Sequence, residues 1–136
     1  MPDNIKSIGF YLIPGFTLAA VASAVDVLAL TNYVKCESLY RWCFLSLDGE
    51  SVRAMNNVWT LADHSIHNAP WLDAITVGSG VDGALYKPPQ RALSWLRKRY
   101  AGGAHLGSIS TGTWCLAHMN LLKGRRFTIH WEDVEA

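Results

Sequence analysis

Gly107-Ser108-Ile109-Ser110-Thr111-Gly112, running on from Ala104 and into Thr113 to about Leu122, is the stretch that decides the fold. A short apolar strand, Ala104 to Ile109, ends on a hydroxyl residue, and an apolar helix begins at once with glycines spaced around the turn. A nucleophile elbow is built this way: the side chain at the sharp turn is pushed up at the sheet rim, beside the N–H groups of a helix N-terminus. Twenty residues on, Phe127-Thr128-Ile129-His130-Trp131-Glu132 offers His130 as a candidate base.

Outward from the elbow, the same grammar repeats. Ser7 to Leu12 is an apolar run closed by Pro14-Gly15, the pattern of a buried strand and a turn. Thr17 suits an N-cap, and Leu18 to Leu30 follows without a breaker, interrupted only by Ser23 and Asp26. A helix apolar on every face is expected to be covered on every face, deep in the fold or against a second subunit. Tyr40 to Leu47 reads as a strand, and Val52 to Ala62, with Asn56-Asn57 at its middle, as a hairpin. Ala74 to Val77 is a strand entering Gly78-Ser79-Gly80. Pro88-Pro89 precedes a helix with Ala92, Leu93, Leu96 and Tyr100 on one side and Arg91, Ser94, Arg97 and Lys98 on the other, ended by Gly102-Gly103. Strands alternating with helices across short turns predict βαβ units and a mainly parallel sheet. Ligands of such sheets bind outside the carboxyl ends of the strands, so Pro14-Gly15, Gly78-Ser79-Gly80 and Ser110-Thr111-Gly112 are expected to face one crevice.

Composition narrows the function. The 136 residues carry 12 Lys+Arg against 11 Asp+Glu and are 50% apolar, which excludes a disordered tail. A net charge of +1 is no basic excess of the kind nucleic-acid modules show. The clusters Arg97-Lys98-Arg99 and Lys123-Gly124-Arg125-Arg126 read as solvated faces, so no DNA contact is assigned to this domain. No window of about 18 apolar residues is found, so no membrane span is expected, and Met1-Pro2-Asp3-Asn4 does not open a secretory signal. Cys36, Cys43 and Cys115 form no C-x-x-C pair, which suits a reducing, cytoplasmic setting. Cys115, five residues past Ser110, is read as an inert core thiol. Asp63, His64 and His67 lack a fourth partner, so no metal is expected, and no cofactor. Length predicts one domain, 1–136, and Trp131-Glu132-Asp133-Val134-Glu135-Ala136 reads as the opening turn of a helix, so the domain is expected to be truncated at its C-terminus.

Gly107 to Leu116, Leu121-Leu122-Lys123-Gly124-Arg125-Arg126 and Thr128-Ile129-His130-Trp131-Glu132 together resemble the N-terminal domain of one group of AraC-type transcriptional regulators. Their sensor domains belong to the PfpI-like, class I glutamine amidotransferase-like superfamily. Gly9-Phe10 to Gly15-Phe16, Ala22-Ser23-Ala24-Val25-Asp26 and the Ile75 to Gly80 turn are similar to that group as well. The resemblance implies a flavodoxin-like three-layer α/β sandwich that dimerises and senses a small metabolite, of amino-acid or quaternary-amine type. It also implies a helix-turn-helix DNA-binding domain downstream, beyond Ala136.

The departures from that superfamily bear on chemistry. Its enzymes place cysteine at the elbow, where this chain has Ser110, and many tune it with a helix glutamate whose place Ala20 takes. A hydroxyl needs a well-placed base to become nucleophilic, whereas a thiol is partly ionised near neutral pH. The expected reading is therefore binding without turnover, in a crevice of Gly15, Ser79, Gly80, Ser110, Thr111 and His130. In that reading Ser110 lines the pocket or caps the turn, and His130 contacts ligand or caps backbone. The alternative is a PfpI-like hydrolase, amidase or hydratase using Ser110 with His130. His130 and Glu132 form an H-x-E pair that shares a face on an extended segment, but on a helix Glu132 becomes a first-turn acid favoured by the dipole.

Overall fold

Strand β1 (Lys6–Leu12) is apolar on both faces because it lies at the centre of a parallel sheet covered on both sides. The computed structural model describes residues 4–135. Met1, Pro2 and Asp3, on which the reading of an absent secretory signal partly falls, and Ala136 lie outside the described residues. The sheet runs β5 (His64–Ser65), β2 (Tyr40–Ser46), β1, β6 (Ala74–Gly78), β7 (His105–Ile109), with every pair parallel. The chain leaves β1 for β2 on one side and returns to β6 on the other. The topological switch therefore falls between the carboxyl ends of β1 and β6, where α/β sheets place ligands.

Side-chain alternation sorts two apolar layers. Phe10, Leu12, Phe16, Val21, Val52 and Ala54 form one, beneath helix α1 (Leu18–Lys35) and the hairpin. Tyr11, Leu45, Ile75 and Val77 form the other with Ala92, Leu93 and Leu96 of α2 (Gln90–Ala101) and Cys115 and Leu116 of α3 (Thr113–His118). The fold is thus the flavodoxin-like three-layer α/β sandwich. The expected hairpin forms β3 (Val52–Arg53) and β4 (Trp59–Thr60), antiparallel, with Asn57 at φ 69° in the turn. Asn adopts that left-handed conformation more readily than most residues.

Four expectations need correction. Helix α1 runs to Lys35 instead of Leu30, because no glycine stops it. Cys36 ends it at φ 53°, with Glu37 N–H bonded to Asn32 C=O and Cys36 N–H to Tyr33 C=O, a Schellman closure without glycine. Nor is α1 covered on every face: Val21 is its one fully buried residue, while Val27, Leu30, Tyr33 and Val34 are 59–80% exposed. Contrary to the expectation that no stretch is apolar for long enough, α1 has the length and composition to cross a membrane, although here it packs one face on the sheet. Helix α3 stops at His118, not Leu122. Asn120, at φ 58°, closes it in the same Schellman pattern, with Leu121 N–H to Leu116 C=O and Asn120 N–H to Ala117 C=O.

A polar clamp fastens the start of β1 to the turn before β6. Asp73 Oδ2 accepts from Ser7 N–H at 2.8 Å and from Ser7 Oγ at 2.9 Å, while Asp73 N–H donates to Ser7 C=O. These Ser7 bonds, helped by Lys6 and Arg41, hold the Asp73 carboxyl below the ordinary carboxylate range. A folded-state value below the unfolded one stabilises above the unfolded value of about 4, and the gain disappears as pH falls through the folded value. Urea titrations between neutral and acidic pH are expected to show wild type losing more stability below about pH 4 than Asp73→Asn does.

Candidate functional site

The elbow forms as the sequence predicts. Strand β7 ends at Ile109, a 3-10 turn covers Ser110–Gly112, and α3 follows at Thr113. Ser110 sits at φ 57°, a left-handed conformation that is uncommon for serine and clusters at functional sites. Its neighbours lock it. The hydroxyls of Ser108 and Thr113 meet at 2.9 Å, and Thr113 Oγ1 donates to Thr128 C=O at 3.0 Å, so Ser108 is the donor to Thr113. This chain of hydroxyls ties the 127–130 segment to the elbow.

Ser110 and His130 line the same cavity, of about 430 Å3, with Arg125, Arg126, Phe127 and Tyr100 around them. That is room for a small metabolite. Arg125, Arg126 and His130, all exposed, border the cavity and no Asp or Glu lines it, although the Glu132 carboxylate lies beside His130, so the charge at its rim is on balance suited to an anionic group. Arg125 is steadied by donating to Tyr100 Oη at 3.1 Å. His130 is the N-cap of a 3-10 turn, Trp131–Asp133, and its Nδ1 accepts the Glu132 N–H at 3.4 Å. The Glu132 carboxylate lies 3.8 Å from the same nitrogen. With Nδ1 turned to the backbone, Nε2 is the ring atom left for an outside partner. The Ser110 hydroxyl has no hydrogen bond to His130 or Glu132 among the described residues.

The six residues expected in one crevice occupy two. Gly15, Ser79 and Gly80 line a second cavity, of about 400 Å3, at the switch point, together with Asp82 and Tyr86. Thr111 belongs to the partition between them: it is buried, and its hydroxyl donates to the Gly80 carbonyl. Gly80 itself packs so closely on the Gly15 carbonyl that a β-carbon has no room there. Ala20 is half-buried in the first turn of α1. Among the described residues no three His, Cys, Asp or Glu side chains group to hold a metal ion. Cys115 is buried in the α2–α3 layer, and burial pushes its thiol up to about 11, so it stays protonated at neutral pH. Cys43 is likewise pushed up to about 11, by burial and then by Asp63. Arg125 and Arg126 are solvent-exposed, as the reading of a solvated cluster expects, but they also border the cavity, which sequence reasoning missed. Their signal was proximity to His130 on one short segment.

A parallel sheet carrying a strained hydroxyl residue at the turn into a helix defines an elbow-type α/β domain. Residues 6–135 match DJ-1/PfpI, and the chain belongs to the DJ-1/PfpI family. It is 38% identical over 133 residues to the HTH-type transcriptional regulator GbdR of Pseudomonas aeruginosa, covering 98% of this chain and 36% of the relative. It is 38% identical over 127 residues to the HTH-type transcriptional regulator CdhR of the same species, covering 93% and 37%. A crystal structure of an AraC family transcriptional regulator from Pseudomonas putida superposes with a TM-score of 0.83 at 26% identity, covering 96% of this chain and 69% of the other. The chain thus spans little more than a third of the length of these curated relatives.

Proposed function

We propose that this domain is the effector-sensing and dimerising part of a cytoplasmic, bacterial AraC-type regulator, and that it binds a small polar metabolite without converting it. One observation carries the reading: the elbow presents a hydroxyl, not a thiol, to a cavity lined with cationic groups. The nearest imidazole spends its Nδ1 on capping a turn. Ser110 and His130 receive the effector's anionic end together with Arg125 and Arg126. Thr111 holds the partition, and Gly15, Ser79 and Gly80 form the adjoining chamber at the switch point. Amino acids or quaternary-amine carboxylates are the effector class, following the resemblance to the regulator group. DNA is bound by a helix-turn-helix domain outside this chain, as the relatives' descriptions support. Two subunits meet through the open apolar face of α1, and an effector with unequal affinity for two dimer arrangements shifts their balance.

The hydrolase alternative draws on Ser110 and His130 sharing one cavity. A thermal-shift screen of amino acids and betaines separates the two. A ligand at a hundred times its Kd adds about 2.7 kcal/mol of stability, several degrees in Tm. Ser110→Ala and His130→Ala are expected to shrink that shift, with no product formed by wild type or variant. Product release that disappears in Ser110→Ala favours the hydrolase.

A further inference from the structure

A parallel strand offers its main-chain hydrogen bonds to its two sides from alternate residues. Lys6 N–H donates to Leu39 C=O, which turns the odd-numbered residues of β2 toward β1. Tyr40, Trp42 and Phe44 therefore present their N–H and C=O groups to the outer edge, where β5 pairs only with Leu45 and Ser46. The chain closes two of these three positions itself, each with one donor and one acceptor. Asn32 of α1 accepts from Tyr40 N–H at 3.0 Å and donates its amide to Tyr40 C=O at 2.7 Å. Asp63 Oδ2 accepts from Phe44 N–H at 2.7 Å, and Asp63 N–H donates to Phe44 C=O at 2.8 Å. Between them, Trp42 N–H and C=O have no hydrogen-bond partner among the described residues. An edge open at one residue admits one extended residue of a guest chain.

A cavity of about 320 Å3 opens at that point, on the side of the sheet away from α1. The Trp42 ring packs into the layer beneath α1, so the cavity meets Trp42 at the sheet edge. Arg41 and Cys43 line it from β2, His64 from β5, and Pro70 and Trp71 from the loop before β6. Arg99 fixes that loop by donating to Ala69 C=O and Pro70 C=O, both at 2.7 Å. No Asp or Glu lines the cavity, and the neighbouring Asp63 and Asp73 are engaged by Phe44 N–H and Ser7. Burial and Asp63 keep the Cys43 thiol neutral, so the Arg41 guanidinium, beside the His64 imidazole, sets the charge of the space.

We propose that this edge is a second ligand site, at the amino ends of the strands and separate from the Ser110 cavity, for the carboxyl-terminal residue of a short peptide or N-acyl amino acid. The guest residue runs antiparallel to β2. Its amide N–H donates to Trp42 C=O, and its carboxylate accepts from Trp42 N–H. That N–H is on the Arg41 side of Trp42, so the second carboxylate oxygen comes within reach of the guanidinium. The apolar side chain of the guest lies on Trp71 and Pro70. Main-chain pairing accepts many sequences, the guanidinium selects a free carboxylate, and the indole selects an apolar terminal residue.

NMR titration of the 15N-labelled chain with N-acetyl-leucine tests it, with the amide of Trp42 as the probe. In the free chain that amide is expected to exchange with solvent faster than those of Arg41 and Cys43, which pair with β1. On titration its shift is expected to saturate with a Kd of about 1–10 mM, and its exchange to slow. Arg41→Gln is expected to weaken binding about tenfold. N-acetyl-leucine methyl ester, which lacks the charge, probes the same contact in wild type and should bind about tenfold more weakly. N-acetyl-N-methyl-leucine, which lacks the N–H, should do the same. No saturable shift at Trp42 by about 50 mM, or equal affinity for the acid, the ester and the N-methyl compound, overturns the site. A Trp42 amide already protected in the free chain overturns it as well, and protection that grows with protein concentration assigns the edge to a second copy instead.

Discussion

Phe16→Ala is expected to lower the unfolding free energy by about 3–5 kcal/mol. The ring is fully buried, at the point where the loop after β1, the first turn of α1 and the hairpin converge. Its own backbone is part of the joint: Phe16 N–H donates to Ile13 C=O at 3.0 Å, and its carbonyl accepts from Met55 N–H at 2.9 Å. Truncation leaves a void that the hydrogen-bonded frame cannot close, so the cavity cost adds to the lost transfer energy. Domains of this size have roughly 5–15 kcal/mol in total, so the variant sits near the edge of folding at physiological temperature. Urea denaturation followed by circular dichroism should show the midpoint falling with little change in slope. A loss below about 1 kcal/mol would mean that the surrounding side chains collapse onto the site, and that the ring is not the joint's filler.

Gly112→Ala is the second large effect, and it bears on function. A β-carbon at Gly112 runs into the Val77 carbonyl oxygen, with Val77 C at 3.0 Å and Ser108 Cβ at 3.3 Å. Two of these three atoms are backbone of the neighbouring strand, which is fixed between β1 and β7. The elbow must therefore lift off the sheet, at about 1–3 kcal/mol of stability or more. Because Ser110 rides on that turn, its hydroxyl leaves the cavity it shares with His130. The expected result is a lower Tm together with loss of effector-induced stabilisation. Gly107→Ala is the control for stability alone, since its added carbon meets only Thr76 Oγ1, at 3.8 Å, and should leave Tm near wild type, although Gly107 also borders the cavity. Full ligand response in Gly112→Ala would show that the elbow's position is irrelevant to binding.

Much of this arrangement is legible in the residues, for definite reasons. Buried parallel strands leave largely apolar runs, so β1 and β6 fall where those runs are; β2 is marked by its aromatic and β-prone residues and β7 by the elbow that follows it, and Pro14-Gly15 and Gly102-Gly103 punctuate the chain. The elbow was readable because a hydroxyl between an apolar strand and an apolar helix has few other uses. What escaped depends on contacts between distant segments. The lengths of α1 and α3 are set by Cys36 and Asn120, non-glycine residues that take up left-handed closures their names do not announce. The two-residue strand β5 exists because β2 offers it an edge. The expectation of a single crevice failed to anticipate Thr111, whose bond to the Gly80 carbonyl joins loops 31 residues apart. The cationic lining by Arg125 and Arg126 arises because the Thr113 bond to Thr128 folds that segment back over the elbow.

The proposed function depends on Ser110 being a contact for a guest and not a nucleophile. The direct measurement is peptide-level mass spectrometry after incubation of the chain with an activated acyl ester, with the hydrolysis rate followed in parallel. The account predicts that Ser110 remains unmodified and that ester hydrolysis is the same in wild type and Ser110→Ala. An acyl group on the Ser110 oxygen, together with turnover that is lost in Ser110→Ala, would contradict it.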